Sequence, residues 1–133
     1  APTVAALTGV YGSAPMERNT LIEDLVARAV DDWVSDAEML DIAQRQGVDD
    51  PSDRRTVALG LLAEALLRGY AQIGSVTDDG FSAWSCSPAE ATERAALEWL
   101  ARADPLVLPG EIFWLNGTAR GVAAGEEILA RET

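Results

Sequence analysis

Residues 66–81 of the chain read LLRGYAQIGSVTDDGF, and this stretch decides the fold. A long helical pattern ends at Gly69, a residue type that is common just after the last turn of a helix. Residues 70–76 alternate as in a strand, although weakly. Residues 77–80 have turn chemistry, and an Asp-Gly pair favours a hairpin. Residues 81–84 are therefore predicted to return as the second strand of that hairpin.

Three helices are predicted before this stretch. The first begins at Thr20 and the second at Ser35, because each is followed three residues later by a glutamate that can complete a capping box. No Gly or Pro separates them, so one helix over residues 20–46 is the alternative, and we favour the break. The third helix is predicted to start within residues 49–52, with Pro51 in its first turn. From Arg54 to Arg68 its pattern is strongly helical and apolar nearly all round, which predicts a place in the core.

A helix, a strand and a helix are predicted after the hairpin. Ser87, Pro88 and Glu90 combine an N-cap, a first-turn proline and a capping glutamate. Residues 111–115 are typical of a strand and are followed by an Asn-Gly turn. A final helix is predicted over residues 119–131. The predicted class is α+β and mostly helical, with a three-helix core, a β-hairpin and additional C-terminal helices.

Three helices followed by a hairpin resemble the winged-helix arrangement. The segment LLRGYAQIGSVTDDGF looks like a third helix that runs into a wing, and FWLNGTARG looks like a closing strand and turn. The chain is also similar to small uncharacterised acidic actinobacterial proteins with a "DDW…GLLAE.LL..G" pattern. The first resemblance implies a winged-helix-like core, and the second implies no particular activity.

Length and composition indicate one globular domain over residues 16–133. The chain has 133 residues, of which 48% are hydrophobic, and this is enough apolar surface for a core. Residues 1–15 form an N-terminal extension without a charged side chain. Two docking places stay open for this extension, namely the body of the domain and a second copy of the chain, which would make a homo-oligomer.

The residue types that usually carry catalysis are scarce. The chain has no histidine, one cysteine and no lysine, and it contains none of the common nucleotide, zinc or hydrolase motifs. We therefore expect no enzymatic activity, no catalytic residues, no cofactor and no metal site. No apolar run is long enough for a membrane span and the N-terminal segment is a poor signal peptide, so we expect a cytoplasmic protein.

Negative charge is concentrated near the N-terminus. The net charge is −12, and residues 17–50 hold ten acidic residues against three arginines. This charge opposes nucleic acid and favours a basic partner. The hypothesis is therefore a protein-interaction domain that binds a basic protein, as an immunity protein or antitoxin-like inhibitor does.

The predicted partner-binding residues are Asp31, Asp32, Trp33 and Asp36. Asp32 and Asp36 are four residues apart, so the carboxylates would share one face of a helix beside the indole. An aromatic ring next to carboxylates is a good receptor for arginine or lysine. The structural alternative is an acidic helix face that is simply solvated.

The alternative function is a winged-helix DNA-binding transcriptional regulator. Arg54 and Arg55 would then lie at the start of the recognition helix, from which base contacts usually come. Two arginines and a wing that carries Asp78 and Asp79 make a poor phosphate-binding surface, so nucleic acid is the less favoured partner.

Overall fold

The computed structural model describes residues 18–132. The elements in chain order are α1 (Leu21–Arg28), β1 (Val34–Ser35), α2 (Asp36–Arg45), α3 (Pro51–Leu67), β2 (Ala71–Thr77), β3 (Gly80–Ala83), α4 (Pro88–Leu100), β4 (Trp114–Gly117) and α5 (Ala119–Arg131). The α+β class is confirmed, with five helices and a four-stranded antiparallel sheet among these residues. The extension over residues 1–15 and its predicted docking lie outside the described part of the chain.

The sheet brings together strands that are distant in the sequence. Its order is β1-β4-β2-β3, and every neighbouring pair is antiparallel. The predicted hairpin is confirmed, since Thr77 pairs with Gly80 across a two-residue turn. Gly80 has a φ of +101°, which a residue without a Cβ adopts without strain. β4 lies between β1 and β2, so a strand from the C-terminal part of the chain joins β1 to the hairpin.

The main core lies between the sheet and helices α2, α3 and α4. Trp99 and Phe113 are its largest fully buried side chains, and their rings meet edge to face at 6.0 Å. The indole N–H of Trp99 donates to the carbonyl oxygen of Pro105 at 2.8 Å, so the buried ring leaves no unpaired donor. α3 contributes Ala58, Leu61, Leu62, Ala65 and Leu66, which confirms that this apolar helix is central.

Helix α5 packs closely on α1. Gly125 is buried against the backbone of Val26, and a Cβ at this position would collide with the Val26 carbonyl oxygen. In sequence terms this glycine only weakens a helix, whereas in the fold it permits the close approach of two helix backbones. The contact joins the C-terminal helix to the first one.

The predicted helix starts are confirmed. Thr20, Ser35 and Ser87 each accept a hydrogen bond from the backbone N–H three residues later. Ser87 and Glu90 form the complete reciprocal capping box. The preferred break before Ser35 is confirmed, and the alternative of one helix over residues 20–46 is wrong.

Two local predictions need correction. The strand predicted over residues 111–115 begins only at Trp114, because the backbone N–H groups of Ile112 and Phe113 donate to a carboxylate of α2 instead of a strand. The predicted Asn116-Gly117 turn is part of β4, where the two residues pair with Gln72 and Ala71. Both errors arise from partners that lie far away in the sequence.

Three helices precede the hairpin, and a two-residue strand lies between the first two of them. Two further strands complete the sheet, and they come from residues 34–35 and 114–117. The hairpin is therefore one half of a larger sheet, and the strand β2 has a neighbour on each side.

Candidate functional site

Three half-buried aromatic side chains meet on one side of the sheet. Trp33 precedes β1, Phe81 lies in β3 and Trp114 lies in β4. The ring of Trp33 is 6.3 Å from that of Phe81 and 6.4 Å from that of Trp114, centre to centre. These three residues are called the aromatic cluster below. They come from three separate segments of the chain, so only the folded sheet brings them together.

The aromatic cluster lies on the face of the sheet opposite to the core. Val34, Ile73 and Leu115 are paired neighbours in the sheet, and all three side chains are buried in the core. Because side chains alternate along a strand, their neighbours Trp33 and Trp114 point to the other face. Ala83 belongs to that face by register with Gly74 and is exposed, so the face is open to solvent.

Two glycines make room for the rings. Gly74 pairs with Trp114 in the sheet, and a Cβ at Gly74 would come within 2.8 Å of the Phe81 ring. Phe81 therefore lies across the strand at a position that has no side chain of its own. Gly110 packs against the indole edge of Trp114, where a Cβ would collide with the ring nitrogen. The rings of Phe81 and Trp114 therefore pack against the backbone of two glycines.

Asp36 holds the loop that supports Trp114. Its carboxylate accepts backbone N–H groups of Gly110 at 2.8 Å, Ile112 at 2.6 Å and Phe113 at 3.3 Å, in addition to that of Ala37. The residue is 0% exposed. Burial raises the pKa of Asp36, although the four N–H donors oppose this effect by favouring the charged form.

The buried position of Asp36 corrects its predicted role. The sequence places this residue on a shared acidic helix face, but α1 ends at Arg28 and α2 begins at Asp36, so no helix joins Asp32 to Asp36. Its carboxylate faces the loop over residues 110–113 and is not available to a partner. Asp36 therefore supports the loop before Trp114 from the interior of the protein. Trp33 precedes β1 and is not part of a helix, although the sequence pattern predicted it in one.

The other predicted acidic residues lie beside the aromatic cluster. Asp31 and Asp32 are exposed in the segment that leads into Trp33. The carboxylate of Asp32 accepts the backbone N–H of Trp33 at 2.7 Å, which fixes the chain where the indole emerges. The structure therefore brings Asp31, Asp32 and Trp33 together at the surface and separates Asp36 from them.

Basic residues are missing from the segments that build this surface. The strands and adjoining loops that carry the three rings are residues 29–35, 71–83 and 110–117, and they contain no arginine or lysine. Asp78 and Asp79 form the exposed turn that leads into Phe81 through Gly80. Acidic residues thus flank both Trp33 and Phe81. An aromatic surface with this border suits a cationic side chain.

Arg54 and Arg55 are bonded to their own chain. The guanidinium of Arg54 donates to the carbonyl oxygen of Val48 at 2.6 Å. Arg55 donates to the carbonyl oxygens of Trp99 and Arg102, both at 3.2 Å, and so ties the start of α3 to the end of α4. These bonds give both residues a structural role at the position where the DNA-binding alternative places base contacts.

Phe81 and Trp114 belong to the surface but were not among the predicted site residues. For Trp114 a signal exists in the sequence, because it lies between Phe113 and Leu115, which are both buried, and alternation places it on the opposite face. For Phe81 the signal is only that a strand follows the turn. Neither pattern indicates that these rings meet Trp33.

Comparisons of this chain with protein-family models, with curated proteins and with solved structures found no match. Over residues 18–132, no three acidic or cysteine side chains come together in a way that could hold a metal ion. No helix in the same part of the chain is both long and apolar enough to cross a membrane. A functional hypothesis therefore rests on the contacts of the aromatic cluster and on the charges beside it.

Proposed function

We propose that this protein is a non-enzymatic interaction domain that binds a basic protein partner, in the manner of an immunity protein or antitoxin-like inhibitor. The partner would bind at the aromatic cluster, with Asp31, Asp32, Asp78 and Asp79 as its acidic border. The observation that carries this proposal is a half-buried group of Trp33, Phe81 and Trp114 on the face of the sheet that the core does not use.

Chemistry supports an arginine-bearing partner. A guanidinium stacks on an aromatic face and pairs with a carboxylate at the same time, and interfaces are enriched in tryptophan for a similar reason. The chain itself uses this contact elsewhere, since the guanidinium of Arg94 lies 3.7 Å from the ring centre of Trp84. The net charge of −12 would attract a basic partner over a distance.

A DNA-binding role in a winged-helix-like arrangement is the less favoured function. Arg54 and Arg55, the residues that it would require, already donate to backbone carbonyls. The hairpin turn presents Asp78 and Asp79, which would repel phosphate. A duplex DNA probe at low salt is therefore expected to show no binding in a gel-shift measurement.

The test uses a fluorescent peptide with alternating valine and arginine, and the same peptide with glutamate in place of arginine. We expect the arginine peptide to bind and the glutamate peptide not to bind. Trp33→Ala and the pair Asp31→Asn with Asp32→Asn should each weaken binding by about tenfold, which is typical of losing one aromatic anchor or a desolvated charge contact. Fluorescence anisotropy gives the affinities.

The matched control is the pair Glu126→Gln with Glu127→Gln. It changes the net charge equally but lies on α5, where both side chains are exposed. We expect it to leave the affinity within about twofold, because distant surface charges are screened. If both double variants weakened binding equally, or if the arginine peptide did not bind, the proposed function would be wrong.

A further inference from the structure

The strand β3 forms an edge of the sheet. It pairs with β2 on one side, and no other strand among residues 18–132 pairs with it on the other. Ser82 and Ala83 are exposed, and Phe81 is half-buried. An edge of this kind presents unpaired backbone N–H and C=O groups, which another chain can use.

The register shows which backbone groups face the open side. The two-residue turn makes Thr77 and Gly80 a hydrogen-bonded pair, and hydrogen-bonded pairs alternate along an antiparallel ladder. The next such pairs are Ser75 with Ser82 and Ile73 with Trp84, and the Trp84 N–H does donate to the Ile73 oxygen at 3.0 Å. The N–H and C=O groups of Phe81 and Ala83 therefore point away from β2.

The open edge is continuous with the aromatic cluster. Phe81 contributes its ring to the cluster and its backbone to the edge, because its side chain lies over Gly74 while its N–H and C=O point outward. A strand laid along β3 would place every second side chain on the face that carries Phe81 and Trp33. Asp78 and Asp79 are exposed in the turn that leads into Phe81, so acidic side chains lie at the start of the edge strand.

We propose that the basic partner binds in the extended conformation and adds a strand to the edge of β3. This inference rests on the proposed function and specifies the conformation of the occupant. The partner's backbone hydrogen-bonds to Phe81 and Ala83, and its alternate arginine side chains lie against Phe81 and Trp33, paired with the acidic border. Charge complementarity selects the occupant, because the exposed turn that begins the edge strand carries Asp78 and Asp79 and the chain has a net charge of −12.

Ala83→Pro tests the edge directly. Proline removes one outward N–H, and it is tolerated on an edge strand where that N–H does not serve the ladder. Ala83→Pro should lower the affinity for the valine-arginine peptide by about tenfold relative to the wild type, because a backbone hydrogen bond to the peptide is lost and the proline ring blocks the edge. Ala83→Ser is the matched control, and it should bind within about twofold of the wild type. Circular dichroism checks that both variants are folded.

Two methylated peptides give a second test that needs no protein variant. In one, the backbone nitrogens of the arginine residues carry methyl groups, and in the other those of the valine residues do. In an extended strand these two sets of N–H groups point to opposite edges, so only one set can face β3. We expect the affinity of one methylated peptide to fall by at least about tenfold and that of the other to stay close to the affinity of the unmodified peptide.

The outcomes separate the two proposals. If the unmodified peptide does not bind the wild type, the proposed function fails and the inference fails with it. If the peptide binds and Trp33→Ala weakens it, while Ala83→Pro has no effect and both methylated peptides bind equally, only strand addition is wrong. The peptide would then bind through its side chains alone.

Discussion

At the residue scale, Asp36 shows how a buried carboxylate can organise a loop. Three of its four backbone donors are 74 to 77 residues away in the sequence, so it ties α2 to the segment before β4. Removing a buried acceptor leaves several buried N–H groups without a partner, and this costs more free energy than the hydrogen bonds themselves contribute. Asp36 therefore controls where Gly110 and Trp114 lie.

Asp36→Asn tests this role. The amide keeps the size of the side chain, but its NH₂ group would face backbone N–H donors and leave buried donors without an acceptor. We expect a loss of about 3 kcal/mol in the free energy of unfolding, measured by urea denaturation. Asp31→Asn is the control, because Asp31 is exposed, and it should change stability by less than about 0.5 kcal/mol. Equal effects of the two variants would contradict the role of Asp36.

At the element scale, the contact between α1 and α5 depends on a missing side chain. Gly125 lies where the α5 backbone meets the Val26 carbonyl, whereas Gly60 in α3 has open space where its Cβ would be. Both glycines are inside helices, where the residue type alone is unfavourable. The same substitution should therefore have opposite effects at the two positions.

Gly125→Ala should destabilise the protein by about 2 kcal/mol, because the added Cβ forces the two helices apart. Gly60→Ala should stabilise it by about 0.8 kcal/mol, since alanine is the better helix former and nothing obstructs it. Thermal or urea unfolding of the two variants measures both signs. Destabilisation by Gly60→Ala, or none by Gly125→Ala, would contradict the packing of these helices.

Helix starts and the hairpin could be predicted at this scale, because their signals are local. Thr20, Ser35 and Ser87 cap helices through residues three positions away. The start of β4 could not be predicted, because Ile112 and Phe113 donate to Asp36 across more than 70 residues. The sequence pattern predicted Trp33 in a helix, but α1 ends at Arg28 and Trp33 lies next to β1.

At the scale of the whole molecule, two arginines link acidic residues of different elements. Arg28 lies 2.9 Å from Asp24, 3.3 Å from Glu38 and 3.1 Å from Asp41, and so links α1 to α2. Arg18 joins Asp24 to Glu132 beyond α5. The ion pairs of these two arginines do not involve Asp31, Asp32, Asp78 or Asp79, so they leave the charge of the acidic border in place.

Ionic strength should therefore act in opposite directions on folding and on binding. Salt screens the self-repulsion of a chain with a net charge of −12, so the unfolding midpoint should rise with added sodium chloride. The association rate of the valine-arginine peptide should instead fall by about tenfold between about 20 mM and about 500 mM salt. Stopped-flow fluorescence measures the rate, and a salt-independent rate would contradict electrostatic attraction.

The sequence by itself determined the α+β class, the helix caps, the hairpin and the acidic character, because each depends on neighbouring residues or on composition. It also indicated Trp33 with Asp31 and Asp32 as a candidate surface. Only the tertiary structure decided that Asp36 is buried and that Phe81 and Trp114 join Trp33. The physical reason is that sheet pairing and loop anchoring are long-range contacts, and local patterns do not specify which distant segment satisfies them.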